Sequence, residues 1–301
     1  MASLSGAYVT VEDLLELAFS SRSQRRNQRR LAKRTGLILS KSRGRGLDFD
    51  EVRQYQPGDD VRNIDWKVTA RLQKPHTKIF KEEQERPCIF VVDQSQSMFF
   101  GSKVRLKSVL CAELLARLAW SSLLHKDKVG GLIQSNSDID IIKPRRSKRT
   151  VAHLLNTTAI SNQKLVASDR PGSDNQLIWE RTLLSLRRMA STNNSLVFLS
   201  DFLTVNDDTW NRLLALRHHN QLKIYFLFDP LERELPPANR YSVSDGISTF
   251  EFNSGETRSK QQYRDRFEER VRKMQDDCTQ FSIPFYALST EDDLEQTVLN
   301  A

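Results

Sequence analysis

The chain of 301 residues is 38% hydrophobic and 28% charged, the proportions of a globular protein with a charged surface, and they exclude a chain disordered throughout. Its length suits one main domain with a smaller appendage, because single cores stop growing at about 250–300 residues. The formal net charge of +8 is concentrated at one end: residues 1–46 hold ten Lys or Arg against Glu12, Asp13 and Glu16.

The first predicted element is a helix over Val9 to Lys33. Thr10 can cap it, Glu12 and Asp13 complement its N-terminal dipole, and Leu14, Leu15, Ala18 and Phe19 line an apolar face. Beyond Ser20 arginines replace the apolar stripe, and Gly36, Gly44 and Gly46 then break the chain into loops. These features delimit a basic N-terminal segment, residues 1–46. Residues 47–87 read as a small β-rich module. Leu47, Phe49, Val52 and Tyr55, then Ile64, Trp66, Val68, Ala70 and Leu72, alternate around the turn signal Gln56-Pro57-Gly58-Asp59-Asp60.

From residue 88 to 301 strands alternate with helices, which argues for a mostly parallel sheet covered on both faces. Strands are expected at Cys88 to Val92, Val129 to Ile133, Ile139 to Ile142, Leu196 to Leu199, Leu222 to Phe228 and Phe285 to Leu288. The second and third of these are joined closely enough for a hairpin. Helices are expected over Lys103 to Leu124, Thr150 to Asn156, Leu177 to Met189, Asp207 to His218 and Lys260 to Asp277, with a further hairpin at Tyr241 to Phe252. No run reaches the roughly 18 apolar residues of a spanning helix, since Val109 to Leu124 is interrupted by Glu113 and Arg117. Glu12 and Asp13 stand where the apolar stretch of a secretory signal would begin, so the cytoplasm is the expected compartment. Cys88, Cys111 and Cys278 have neither disulfide nor zinc spacing and are expected to be reduced and buried.

In open parallel sheets ligands bind beyond the carboxyl ends of strands. Asp93 and Asp201 both lie there, and a carboxylate so placed calls for a counter-charge. Ser95 and Ser97 alternate with Asp93 and can present hydroxyls to the same side of a tight loop, while Met98 and Phe99 turn into packing. Ser173, in the loop Pro171 to Asn175, can add a further hydroxyl. Oxygen-only ligands suit a hard cation such as Mg2+, with Mn2+ or Ca2+ as substitutes.

Asp93-Gln94-Ser95-Gln96-Ser97 resembles the Asp-x-Ser-x-Ser signature of the metal-ion-dependent adhesion site in von Willebrand factor A and integrin inserted domains. The resemblance implies a von Willebrand factor A-like, doubly wound α/β fold. It also implies metal ligation by Asp93, Ser95 and Ser97, by Ser173 at the family's Thr position, and by Asp201 from a third loop. Upstream, the run from Gly44 to Trp66, then Thr69-Ala70-Arg71 and Lys78 to Glu83, is similar to the hallmark of the bacterial family called domain of unknown function fifty-eight, with the likeness spanning most of residues 36–230. Many relatives carry two membrane-spanning helices ahead of that hallmark, and this chain resembles the shorter branch without them. Relatives are commonly encoded beside a MoxR-type AAA+ ATPase, which the resemblance implies as a partner.

Together these features lead to the expectation of a metal-dependent protein-binding adaptor, in which an acidic side chain of a client protein completes the coordination of Mg2+. A magnesium-dependent hydrolase is the alternative, but no enzyme is expected: His76, His125, His153, His218 and His219 lack metal-ligand spacing, and no nucleophile elbow, Walker loop or dinucleotide fingerprint is present. Arg22 to Arg34 could hold nucleic acid or an anionic surface, yet the stretch lacks aromatics for stacking, so a solvated or partner-docking helix is the expected role. Mixed charges Arg53, Asp59, Asp60, Arg62, Asp65 and Arg71 can form either a partner-facing surface or an internal ion-pair network that pins the β module to the sheet. The structural role is the expected one, because mixed charges at turns usually satisfy neighbouring backbone groups.

Overall fold

A computed structural model describes the chain apart from residues 1–3, 19–46, 83–86, 167–174, 191, 237–238, 245–248, 254–256 and 295–301. In chain order, residues 11–18 form α1, Leu47–Gln54 β1, Trp66–Leu72 α2, His76–Glu82 β2, Cys88–Asp93 β3, Lys107–Leu124 α3, Val129–Gln134 β4, Ile139–Arg145 β5, Lys148–Gln163 α4, Asn175–Met189 α5, Ser195–Ser200 β6, Asp207–Ala215 α6, Gln221–Phe228 β7, Pro230–Arg233 α7, Arg240–Ser244 β8, Thr249–Asn253 β9, Thr257–Gln280 α8 and Phe285–Ser289 β10. The chain divides into two compact units, residues 25–85 and residues 1–24 with 86–301.

In the smaller unit β1 pairs antiparallel with β2. The expected turn forms between them: Asp59 donates its N–H to the Gln56 carbonyl at 3.0 Å, and Gly58 takes φ 109°, which a side chain would resist. The alternating run Ile64 to Leu72 was expected as strand, yet from Trp66 onward it is helix. Asp65 decides this locally, because its side chain accepts from the N–H groups of Lys67 and Val68 and so caps α2. The helix ends at Gln73, in left-handed conformation with φ 52°.

The larger unit is built on a six-stranded sheet of order β10-β7-β6-β3-β4-β5. All neighbours are parallel except β4 and β5, which form the expected antiparallel hairpin. Alternate residues of the buried strands serve opposite faces. Phe90, Val92, Val197, Leu199, Tyr225 and Leu227 pack with α1, α3 and α4, while Ile89, Val91, Leu196, Phe198, Ile224 and Phe226 pack with α5, α6 and α8. Gly131 is required on β4, where an added Cβ would lie 2.7 Å from the Phe90 carbonyl oxygen.

The first part of the segment 1–46 groups with the larger unit. Leu14 and Leu17 are buried there, and Val9 donates its N–H to Asn162 Oδ1 at 2.9 Å. The basic half of that segment, Arg22 to Arg34, and the glycines Gly36, Gly44 and Gly46 lie outside the described residues. All three cysteines are free and buried. Among the described residues no helix is long and apolar enough to cross a membrane.

Candidate metal centre

The sheet order creates the site. The connection from β3 through α3 runs to β4 on one side, whereas β6 runs through α6 to β7 on the other, so the chain diverges between the adjacent parallel strands β3 and β6. Ligand crevices form at such switch points, beyond the carboxyl ends of the strands. Asp93 ends β3 and Asp201 follows β6.

Both carboxylates are buried, at 1% and 2% exposure. Asp93 Oδ2 accepts from Ser200 Oγ at 2.5 Å, and Oδ1 accepts from the Ser95 N–H at 3.0 Å. Asp93 does not cap α3, whose N-cap is Leu106. Ser95 Oγ and Ser97 Oγ lie 3.2 Å apart, and Ser97 Oγ donates to Asp201 Oδ1 at 3.2 Å. The strand ends and the Ser95 to Ser97 loop therefore bring Asp93, Ser95, Ser97 and Asp201 together. Ser173 lies outside the described residues. Met98 is buried and Phe99 packs its ring on Tyr8 at 5.6 Å, as their apolar character requires.

Lys107 supplies a positive charge that sequence reasoning missed. It is fully buried, and its Nζ donates to Asp201 Oδ2 at 2.7 Å and to Glu232 Oε1 at 2.8 Å. Its sequence signal is faint but physical: Lys107, Leu110, Cys111 and Leu114 recur at the spacing of one helix face, so a lysine sits on the apolar stripe of α3. Ser200 was also missed, although it immediately precedes Asp201. Gln94 points away from the site, donating from Nε2 to the Ser108 carbonyl at 3.1 Å and accepting from Asn162 at 3.3 Å, which ties the loop to α3 and α4. Asn136 holds the same loop by accepting the Gln96 N–H at 2.6 Å.

The electrostatics separate the two aspartates. Burial first, then the charge of Asp201, pushes the Asp93 carboxyl above the ordinary aspartate value of 3.8, against hydrogen bonds from Ser200 and Ser95. Burial pushes Asp201 the same way, but Lys107, the Leu203 N–H and Arg270 outweigh it and hold that carboxyl below 3.8. Burial would likewise discharge Lys107, and here Asp201 and Glu232 outweigh it, raising its pKa above the ordinary 10.5. Asp201 and Glu232 thus share the Lys107 ammonium, while Asp93 has no ion pair among the described residues and Arg270 donates to the Asp201 carbonyl oxygen at 2.5 Å.

This donor set fits a hard divalent cation. An ion with oxygens at about 2.1 Å in octahedral array separates adjacent ligands by about 3.0 Å, and the two 3.2 Å contacts joining Ser95 Oγ, Ser97 Oγ and Asp201 Oδ1 approach that edge length. Of the described side chains, Ser95 and Ser97 supply the neutral oxygens that would join Asp93 and Asp201 around a cation. Such an ion would neutralise the excess charge on Asp93 and polarise any further oxygen ligand brought to it.

The backbone beyond Asp201 is strained. Phe202 has φ 50°, unusual for a bulky residue. Its ring is held between Trp179, with centroids 5.7 Å apart, and Trp210 at 5.5 Å. This conformation turns the Leu203 N–H onto Asp201 Oδ1 at 2.9 Å. A third strand-end aspartate, Asp229 after β7, is saturated instead: it accepts from the Leu231 N–H, the Ser102 N–H and Thr290 Oγ1 at 2.9, 2.8 and 2.6 Å.

Comparison with known sequences gives one family, described as "Protein of unknown function DUF58", whose model matches residues 51–277. Uncharacterized proteins of Mycobacterium bovis and of two Mycobacterium tuberculosis strains are 30% identical over 206 residues, covering 68% of this chain and 62% of theirs. The chain thus spans less than two thirds of the length of these relatives. Among solved structures, the conserved hypothetical protein BatB from Bacteroides thetaiotaomicron is similar at 11% identity and a TM-score of 0.41, over 71% of this chain and 96% of that one. An aerotolerance-related membrane protein from Bacteroides fragilis is similar at 11% identity and a TM-score of 0.42, over 71% and 97% of the two chains.

Proposed function

The chain belongs to the DUF58 family of proteins of unknown function, and we propose that it is a metal-dependent protein-binding adaptor whose larger unit is a von Willebrand factor A-like domain with a metal-ion-dependent adhesion site. Mg2+, or Mn2+ or Ca2+ in its place, is held by Asp93, Ser95, Ser97, Ser173 and Asp201. An acidic side chain of a client protein completes the shell, and a MoxR-type AAA+ ATPase in the cytoplasm acts on the complex during protein assembly or maturation.

One observation carries this reading: the hydroxyls of Ser95 and Ser97 and a carboxylate oxygen of Asp201 lie at octahedral-edge spacing beside the buried carboxylate of Asp93. The rim supports docking of a protein. Leu203, whose N–H meets Asp201, is 56% exposed, and Phe100, whose ring centroid lies 5.9 Å from Lys107 Nζ, is 42% exposed, so two apolar side chains near the acidic centre are open to serve as interface anchors. Among the described residues the side chains that touch the two aspartates are Ser97, Lys107 and Ser200, groups suited to holding an ion and its ligand in place.

The test is capture of a MoxR-type AAA+ ATPase and of acidic clients by the full chain, with and without a chelator, beside isothermal titration with Mg2+. Wild type should bind Mg2+ and capture its partners only when metal is present, and Asp93→Ala should do neither while keeping its circular dichroism spectrum. Capture that survives chelation removes the metal from the mechanism.

A further inference from the structure

The surface of the smaller unit carries a second, chemically different feature. Its aspartates are engaged locally: Asp60 accepts from the Arg62 N–H at 2.9 Å, Asp65 from the N–H groups of Lys67 and Val68 at 3.0 and 3.2 Å, and Asp59 pairs with Arg53 at 2.8 Å. Asp65 also meets Lys78 at 3.5 Å. In contrast, Arg62, Lys67, Arg71 and Lys74 are exposed and form no ion pair among the described residues. Lys67 and Arg71 stand one turn apart on α2, a like-charge pairing that disfavours the helix and that no acidic neighbour offsets. Trp66 is on the adjoining strip of the same helix with Ala70 one turn later, and the small alanine leaves the indole uncovered. Trp66 is 71% exposed, and Val61, just ahead of it, 60%.

Tryptophan and arginine are the residue types that dominate binding hot spots, and a tryptophan is seldom left this open. We propose that the face formed by Val61, Arg62, Trp66, Lys67 and Arg71 docks an acidic segment of a partner protein, with an apolar side chain of that segment resting on Trp66. Charge complementarity selects the partner: four exposed cations without an ion pair among the described residues fall within residues 62–74, the stretch that carries the exposed Trp66. Val61 favours protein over nucleic acid, since it gives an apolar side chain a contact but gives a base no stacking surface, and a single aromatic is a poor platform for successive bases. The inference does not depend on the metal centre.

The molecule provides its own probe. Of its four tryptophans, Trp120, Trp179 and Trp210 are 9% exposed or less, so acrylamide quenching of the full chain reports Trp66. A synthetic peptide of alternating glutamate and leucine should bind, protect Trp66 from acrylamide and weaken steeply with salt. The variant Arg62→Glu/Lys67→Glu/Arg71→Glu should lose about tenfold or more in affinity for this peptide and gain affinity for one of alternating lysine and leucine, a reversal that misfolding cannot produce. Trp66→Ala, followed by anisotropy of labelled peptide, should lose about tenfold. The proposal is overturned if the acidic peptide leaves Trp66 unprotected, if the charge-reversed variant binds it equally well, if single-stranded oligothymidylate binds more tightly, or if Trp66 in the free chain already resists acrylamide because the chain itself covers it.

Discussion

Two buried ionic clusters flank helix α3, and they differ in whether their charges are satisfied. In the first, Glu113 meets Arg105 at 2.5 Å and Arg117 at 2.7 Å, with all three side chains at 3% exposure or less. Arg105 also donates to the carbonyls of Thr290 and Asp292, and Glu113 accepts the Leu4 N–H at 2.9 Å. Each charge here has an opposite charge beside it, and the cluster ties residue 4, α3 and the segment after β10 together. In the second, Lys107 serves Asp201 and Glu232, while among the described residues the Asp93 carboxyl is met by the Ser200 hydroxyl and the Ser95 N–H and by no ion pair. Burial is common to both. A buried carboxyl without an ion pair among the described residues belongs to one, and it separates a candidate binding centre from a structural clasp.

The contrast can be broken most forcefully at the clasp. Glu113→Ala leaves two buried guanidinium groups without their carboxylate and should cost about 3–5 kcal/mol of stability, read from the urea midpoint; a loss below about 1 kcal/mol would mean that water already answers those arginines. At the other cluster the sign differs, because the cost is relieved by a ligand. With Mg2+ at about a hundred times its Kd, wild type should gain about 2.7 kcal/mol, seen as a rise in Tm, and Asp93→Ala should gain nothing. A Mg2+-induced rise retained in Asp93→Ala would move the ion elsewhere. Ser97→Ala removes one neutral oxygen and should weaken Mg2+ about tenfold, or ~1.4 kcal/mol, by titration calorimetry, with the metal-free Tm nearly unchanged.

The smallest effect concerns pH without metal. Because the folded pKa of Asp93 is raised, its contribution is favourable below the unfolded value and is lost as pH rises through the folded one. Asp93→Asn should therefore melt above metal-free wild type at pH 8, and the gap should close as pH falls toward 3.8. A gap that widened on acidification would show that Asp93 is held ionised by a partner, as Asp201 is by Lys107.

The strands were readable because each is a short apolar run facing helices on both sides, and Asp93 and Asp201 were readable because strand ends in such sheets face a crevice. Helix α2 was not, since Ile64 to Leu72 alternates as a strand would; seven residues are too few for helical periodicity to prevail, and only the Asp65 cap betrays it. Lys107, Ser200 and Glu232 escaped for another reason. Lys107 meets Asp201 across 94 positions and Glu232 across 125, and Ser200 meets Asp93 across 107, so their roles come from strand order, which no local pattern encodes. Ser173 lies in a stretch that the described residues do not reach.

The left-handed turn at Phe202 has a further consequence. A conformation unfavourable for phenylalanine by about 1–3 kcal/mol persists because Trp179 and Trp210, on helices α5 and α6, clamp its ring on the far face of the sheet. The direction of the Asp201 carboxylate thus rests on aromatic packing. Residues that would never meet the ion or its partner help decide where Asp201 points, and trimming either indole should loosen recognition before it unfolds the chain.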